Sequence, residues 1–336
     1  MFIGIPKEMK IGESRVSLIP SDVGKLVDEG HTLFVETNAG FKAGFLDEEY
    51  KKYGAKIEKG VWNHKMIVKA KVELTDPFEE NQILMGYLHV EKGQSPELLK
   101  KLLEKHLTSY AFEEIRDKLG KRRINLGYEA GIVGMYEGLR QYGAVLEKNG
   151  LTNPFGSLPG MKKIGKEKAY AHLSQLNPET KMTISILGSG NVSKGAQDVL
   201  SNVGITPQVL TKKDTSHIED FLPKMDILVN AITWNPGEPH VVTKKMLNLM
   251  KKTALIVDIS CDEGGGIETC IPTKWVDPAY EVEGITHICI DNLPTAIAKE
   301  ASTHLSSMIL PYVLKVANNF ELKTGLMTKN GKCTFK

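Results

Sequence analysis

Arg15, Lys71, His89 and Asp262 are the side chains whose types could hold a carboxylate or move protons, and residues 188–193, Gly-Ser-Gly-Asn-Val-Ser, could hold phosphates. Arginine grips a carboxylate through two parallel hydrogen bonds. Lysine and histidine together exchange protons near neutral pH when burial or a neighbouring cation lowers the lysine pKa. An aspartate beside a cationic intermediate stabilises it electrostatically. An apolar run that ends in Gly188-x-Gly190 and leads into an amphipathic pattern is a way to lay a pyrophosphate on a helix N-terminus. Gly188 allows the tight turn, Gly190 lets the backbone approach the phosphates, and Ser193 at the third position is small enough for close helix–strand packing. Each also has a plainer reading: a solvated lysine, a packing histidine, a surface ion pair, a turn-capping aspartate before three glycines, a glycine-rich bend. Only convergence on one site makes them chemistry.

The elements that must position these groups alternate strand and helix. In the first 115 residues strands are predicted at 2–5, 32–36, 66–72, 83–89 and 109–112, with helices at 19–29 (Ser21 as N-cap) and 96–105. Lys71 and His89 then stand at strand carboxyl ends, and Arg15 in the loop after the first strand. A long helix at 128–146 carries Ala130, Gly131, Gly134 and Gly138, glycines that lower helix propensity and so serve the close approach of another backbone. Residues 149–165 read as a connection. A second series has strands at 183–187, 207–210, 227–231, 254–259 and 285–290, and the tail from 295 to 318 is helical in period with a bend at Pro311. This alternation predicts α/β architecture, with parallel sheets and a site outside the strand carboxyl ends.

Bulk properties exclude several classes. The 336 residues are 41% hydrophobic and 25% charged with net charge +2, which fits a soluble protein of one large or two medium domains. The basic clusters at 118–123 and 162–168 read as solvated faces, so no nucleic-acid partner is expected. No apolar run is long enough for a membrane span and the N-terminus is not a signal peptide, which predicts a cytoplasmic protein. Cys261, Cys270, Cys289 and Cys333 lack Cys-x-x-Cys spacing, so free thiols and no metal are expected.

NAD sites usually place Asp or Glu about 20 residues after the first glycine to bind the ribose 2′-hydroxyl. Here the strand ends Leu210-Thr211-Lys212-Lys213, with Asp214 late. Thr211 with Lys212 or Lys213 would suit a 2′-phosphate, which predicts NADP(H) in preference to NAD(H).

With these residues in view, nearly the whole chain resembles the alanine dehydrogenase and transhydrogenase superfamily. GIPKE…ESRVSLIP resembles its opening, with Arg15 at the carboxylate-binding position. VKAKVE resembles the strand end that carries the catalytic lysine, at Lys71, and GYLHV the strand that delivers the catalytic histidine, at His89. Val72 stands where the family often has Glu, and Glu113 in AFEEI is expected to supply that charge near Lys71. GSGNVSKGAQ, LVNAITW, IVDISCDEGGGIET and ICIDNLP with the following EAS resemble the opine-forming branch, which includes lysine-forming saccharopine dehydrogenase and N5-carboxyethylornithine synthase. The chain has GYEAGIVGM where alanine dehydrogenases typically have MSEVAG.

The resemblance implies two doubly wound Rossmann-like domains with a cleft between them: a discontinuous substrate domain (1–130 with 295–336) and a dinucleotide domain (131–294). It implies catalytic roles for Lys71, His89 and Asp262, and substrate contacts for Arg15, Glu113 and Asn292. Gly188, Ser189, Gly190, Asn191, Val192, Thr211, Lys212, Lys213 and Ala231 would contact the cofactor. The expected reaction is reductive condensation of a 2-oxo acid with lysine or ornithine through an imine, in a homo-oligomer. The alternatives are alanine dehydrogenase, using pyruvate and ammonia, and a non-catalytic nicotinamide-nucleotide sensor.

Overall fold

The computed structural model describes residues 1–91, 93, 95–176 and 182–335. The chain divides into two compact units, Met1–Leu126 with Ala298–Lys336, and Gly127–Ile297. These boundaries lie a few residues from the expected 130/131 and 294/295, and they keep the whole of the first long helix in the second unit. Each unit is a Rossmann-like α/β domain.

The first unit runs β1 (Phe2–Ile5), α1 (Pro20–Asp28), β2 (Thr32–Glu36), α2 (Asp47–Lys52), β3 (Lys56–Glu58), β4 (Met66–Lys71), β5 (Ile83–Tyr87), α3 (Pro96–Glu104) and β6 (Thr108–Ala111). The second runs α4 (Gly127–Lys148), α5 (Met161–Ile164), α6 (Lys166–Leu173), β7 (Ile184–Leu187), α7 (Asn191–Ser201), β8 (Gln208–Leu210), α8 (Lys212–Thr215), β9 (Ile227–Asn230), β10 (Leu255–Asp258), β11 (Ala279–Val282) and β12 (Ile285–Ile288). The chain then returns to the first unit as α9 (Ala298–Ala317), β13 (Leu326–Lys329) and β14 (Lys332–Cys333).

The first sheet has the order β14-β13-β6-β5-β4-β1-β2-β3. Its six leading strands are parallel and doubly wound, reversing direction of winding between β1 and β4. Both faces are covered. Met66, Val68 and Ala70 of β4 enter one core with Ile3, Ile5 and the apolar stripe of α9, while Ile67 enters another with Leu84, Leu98 and Leu102. The period of two explains why this strand reads as a continuous apolar run rather than an alternating one.

The second sheet has the order β11-β12-β10-β9-β7-β8, with β11 antiparallel at its edge and the winding reversed between β7 and β9. Helix α4 covers one face and meets α7 at very short range. A Cβ on Gly131 would lie 2.0 Å from Val192 O, and one on Gly195 would lie 2.0 Å from Tyr128 O. Glycines on both helices therefore allow backbone to touch backbone. Gly134 and Gly138 do something different, admitting the side chains of Ile259 and Val257.

Several local expectations are revised. Helix α1 starts at Pro20 with extended Ile19 as its N-cap, not at Ser21; the residue before proline is driven extended, and proline suits the first helical position. The connection at 149–165 contains α5. The β13–β14 hairpin was not foreseen, although Asn330-Gly331, with φ 50 and 73, is the turn that marks one.

Candidate active site

In the first unit the candidate groups collect where the winding reverses. Lys71 ends β4, and His89 follows β5 in the left-handed conformation, φ 53. Their side chains meet, Lys71 Nζ lying 3.0 Å from His89 Nε2. The Tyr87 ring floors the pair, 5.3 Å from Lys71 Nζ and stacked on the imidazole. Burial, and then the cations of Lys71, Arg122 and Lys10, push the His89 pKa down to about 3. The imidazole is thus neutral at ordinary pH and accepts from the lysine, which leaves the proton on Nδ1, 3.8 Å from Glu113 Oε1.

The Glu113 carboxylate accepts from the backbone N–H groups of Leu88 and His89, and the residue is 4% exposed. Burial raises its pKa against those hydrogen bonds. The residue expected to supply charge near Lys71 clamps the strained histidine turn. Arg122, from the cluster read as a solvated face, donates from Nε to Glu113 O at 2.7 Å.

Arg15 is 4% exposed and lies against Glu13, which is 0% exposed. Nε and Nη2 donate to the two carboxylate oxygens at 2.7 and 2.5 Å, and the Arg15 N–H donates to the same group at 2.9 Å. The fork fixes the plane of the guanidinium. The loop itself is held by α9: Val16 N donates to Ser302 Oγ at 3.0 Å and Ile19 N to Ser306 Oγ at 3.1 Å. Glu8 completes the frame, accepting from Ala70 N at 2.7 Å and Lys71 N at 3.2 Å. Burial lifts its pKa to about 8, opposed by Lys69. Lys69, fully buried, donates to Asp76 Oδ1 at 2.5 Å.

The sequence reading missed Glu8, Glu13 and Tyr87. Glu13, two residues before Arg15, had a readable signal, since a buried arginine needs a carboxylate within reach. Nothing local marks Glu8 as reaching β4.

The second unit supplies a turn of another kind. Gly188 has φ +96, and a Cβ there would lie 3.0 Å from Ala231 O across the β7/β9 reversal. Only glycine satisfies both constraints. A Cβ on Gly190 would meet nothing within 4 Å, so the space over the first turn of α7 is open, and Gly190 itself is the N-cap. Ser189 and Asn191 are exposed beside it, while Val192 turns its carbonyl to α4 and Ser193 is buried. An open cradle of backbone at a helix N-terminus fits a pyrophosphate. At the end of β8, Thr211 caps α8. Asp214 is not remote: its Oδ2 accepts from Thr211 N at 2.7 Å and Thr211 Oγ1 at 2.8 Å, bonds that lower its pKa. Lys212 and Lys213 are exposed.

Asp262 and Asn292 also stand in the second unit, both half-buried. The Asp262 carbonyl accepts from Gly265 N at 2.9 Å in a turn so tight that a Cβ on Gly265 would lie 2.6 Å from Asp262 Cβ. Asn292 has φ 60, and its carbonyl accepts from Thr295 N.

Comparison with known proteins places this geometry. The family model described as "Alanine dehydrogenase/PNT, N-terminal domain" matches residues 4–133, and the corresponding C-terminal domain model matches 165–335. Alanine dehydrogenase 1 of Staphylococcus aureus strain MSSA476 is 30% identical over 359 residues, covering 99% of this chain and 95% of that protein. A solved L-alanine dehydrogenase superposes with a TM-score of 0.81 at 29% identity, covering 100% and 97% of the two chains. A transhydrogenase from Sinorhizobium meliloti shares the fold, with a TM-score of 0.72 at 20% identity over 100% and 99%. No helix among the described residues is long and apolar enough to cross a membrane.

Proposed function

We propose that this chain, which belongs to the alanine dehydrogenase/PNT family, is an NAD(P)-dependent amino-acid dehydrogenase that interconverts pyruvate plus ammonia with alanine. The observation that carries the reading is the Lys71–His89 pair, 3.0 Å between nitrogens, in the same unit as the carboxylate-oriented Arg15. The choice of ammonia over an amino acid as the amine is supported by the alanine dehydrogenases that match over nearly the full length. The opine branch, favoured by motifs of the second half, has no comparable support.

Arg15, held flat by Glu13, pairs with the substrate carboxylate. Lys71 and His89 share one proton between Nζ and Nε2. Because the imidazole is neutral, Lys71 is the group that carries the proton, and His89 receives it and orients it. In the reductive direction the pair delivers this proton to the oxygen that leaves as water from the carbinolamine. In the oxidative direction it takes one back. Glu113 and Glu8 position the pair through backbone amides. Asp262 and Asn292, in the second unit, keep the catalytic and substrate-binding roles that the family resemblance implies. The nicotinamide nucleotide, when bound, supplies or accepts the hydride. Gly188, Ser189, Gly190, Asn191, Val192 and Ala231 hold its pyrophosphate end. Asp214 is committed to capping Thr211, so Thr211, Lys212 and Lys213 favour NADP(H) over NAD(H).

A rate assay with pyruvate, each reduced cofactor, and ammonia, lysine or ornithine tests this. Ammonia alone should sustain turnover, faster with NADPH. A requirement for lysine or ornithine would establish the opine reading instead, and cofactor binding with no turnover would establish a sensor.

A further inference from the structure

Three sulfurs and a carboxylate gather inside the second unit, where the proposed reaction has no use for them. Cys289 Sγ lies 3.1 Å from Cys261 Sγ and 3.2 Å from Cys270 Sγ. A carboxylate oxygen of Asp258 and the sulfurs of Cys270 and Cys289 all lie within 4.8 Å of one another. Asp258, Cys270 and Cys289 are 2%, 2% and 0% exposed. The residues come from separate places: Asp258 ends β10, Cys261 follows it, Cys270 lies in the loop before β11, and Cys289 follows β12. No Cys-x-x-Cys spacing could announce such a set.

The carboxylate is half satisfied. Oδ1 accepts from Asn230 Nδ2 at 3.0 Å and Cys261 N at 2.9 Å, whereas Oδ2 is buried without a well-formed hydrogen bond, and the Cys270 thiol is the further donor that the carboxylate faces. A buried acceptor left without a donor costs about 1–3 kcal/mol, and more if charged. Cys261 also stands in the left-handed region, φ 58, which a residue with a side chain adopts at some cost. That turn is what brings its sulfur to Cys289.

We propose that Asp258, Cys261, Cys270 and Cys289 form a closed site for one zinc ion. Three thiolates and a carboxylate are a donor set for tetrahedral zinc. Zinc–sulfur bonds of about 2.3 Å put tetrahedral sulfurs about 3.8 Å apart, so the two pairs at Cys289 open by about 0.6 Å, and Cys261, outside the group of Asp258, Cys270 and Cys289 whose ligand atoms lie within 4.8 Å of one another, swings in to complete the set. A disulfide, with sulfurs about 2.05 Å apart, would have to close them by about 1.1 Å. It would also use two thiols of three and leave Asp258 Oδ2 unanswered. On binding, three thiol protons pass to solvent, four metal–ligand bonds form, and no electrons move. Asn230 and the Cys261 amide hold Oδ1 and so orient the carboxylate. Cys261, half-buried, is the side from which the ion enters. The ion ties together the ends of the loop that carries Asp262 and its three glycines.

The test uses the full chain carrying Cys333→Ser, which removes the exposed thiol. Reduced protein, stripped with a chelator, is titrated with cobalt(II) and then with zinc(II). The expected result is one cobalt per chain, with the thiolate charge-transfer and d–d bands of a tetrahedral site, displaced stoichiometrically by zinc. Zinc should also raise the thermal midpoint. Cys261→Ser should fold, since it is the least buried ligand, and lose charge-transfer intensity in proportion to one thiolate of three. Asp258→Asn should weaken zinc binding by at least ~10-fold. Absence of thiolate bands in folded, reduced protein overturns the proposal, as do bands unchanged by Cys261→Ser. A single disulfide formed by mild oxidant equally fast with and without zinc also overturns it, in favour of a redox pair.

Discussion

The two reversal points of the winding have the same topology and opposite chemistry. Between β1 and β4, the first unit presents side chains: Arg15 on Glu13, Lys71 on His89, Glu8 and Glu113 on backbone amides. Between β7 and β9, the second unit presents backbone, with Gly188 and Gly190 stripped of side chains and α7 pressed onto α4 through Gly131 and Gly195. A parallel sheet makes a crevice at such a point by geometry alone. What fills it decides between proton chemistry, which needs titratable groups held in fixed geometry, and phosphate binding, which needs bare amides. In the first unit ionisable groups are buried and must be matched in pairs. In the second the cost is packing precision between helices.

The comparison can be broken from either side. The largest effect should come from Lys71→Met, which removes the shared proton. Turnover should fall by about 10²–10⁴-fold with the far-UV circular dichroism unchanged; turnover within a few-fold of the parent would remove the pair from the mechanism. Next is Arg15→Met, which takes the two guanidinium hydrogen bonds from the buried carboxylate of Glu13. A loss of about 3–5 kcal/mol in urea unfolding is expected, whereas Lys212→Met in the second unit should stay within about 0.5 kcal/mol. Third is Gly195→Ala, whose Cβ would meet Tyr128 O. It should cost about 1–3 kcal/mol and raise KM for the nucleotide more than for the oxo acid. A neutral result would show the helix contact to be loose.

The last test is a pH dependence. An unfolded histidine takes its proton near 6.5 and folded His89 only near 3. Between those values the unfolded state binds more protons, so this contribution is complete above pH 6.5 and drains away as pH falls towards 3. His89→Gln should flatten the stability profile over that window, measured as urea midpoints. An unchanged slope would mean that the imidazole is protonated in the folded protein.

Much of the architecture was legible because the inner strands of both sheets are parallel and buried. They read as short apolar runs, and the polar residues that end them, Lys71 among them, mark the carboxyl edge. The glycines at 131 and 188 were legible because their backbone demands exclude other residues. Partnerships were not. Glu113 was read as a charge for Lys71, and its hold on the His89 turn was not. Asp214 looked remote and folds back on Thr211. Both are hydrogen bonds whose direction depends on a turn or a neighbouring strand that no local pattern encodes. The motif wording of the second half pointed to opine formation, while the whole-length match supports alanine dehydrogenases.

Ser302 and Ser306, one turn apart on α9, accept the backbone amides that shape the Arg15 loop. On the ribosome those serines emerge only after the whole of the second unit has been made. The second unit, continuous in sequence, is free to fold while the chain is still growing, since domains fold as units during synthesis. The Arg15 loop waits for serines made later, Val16 for one 286 residues further on. A chain released between the two would carry a finished second unit and an unfinished Arg15 loop.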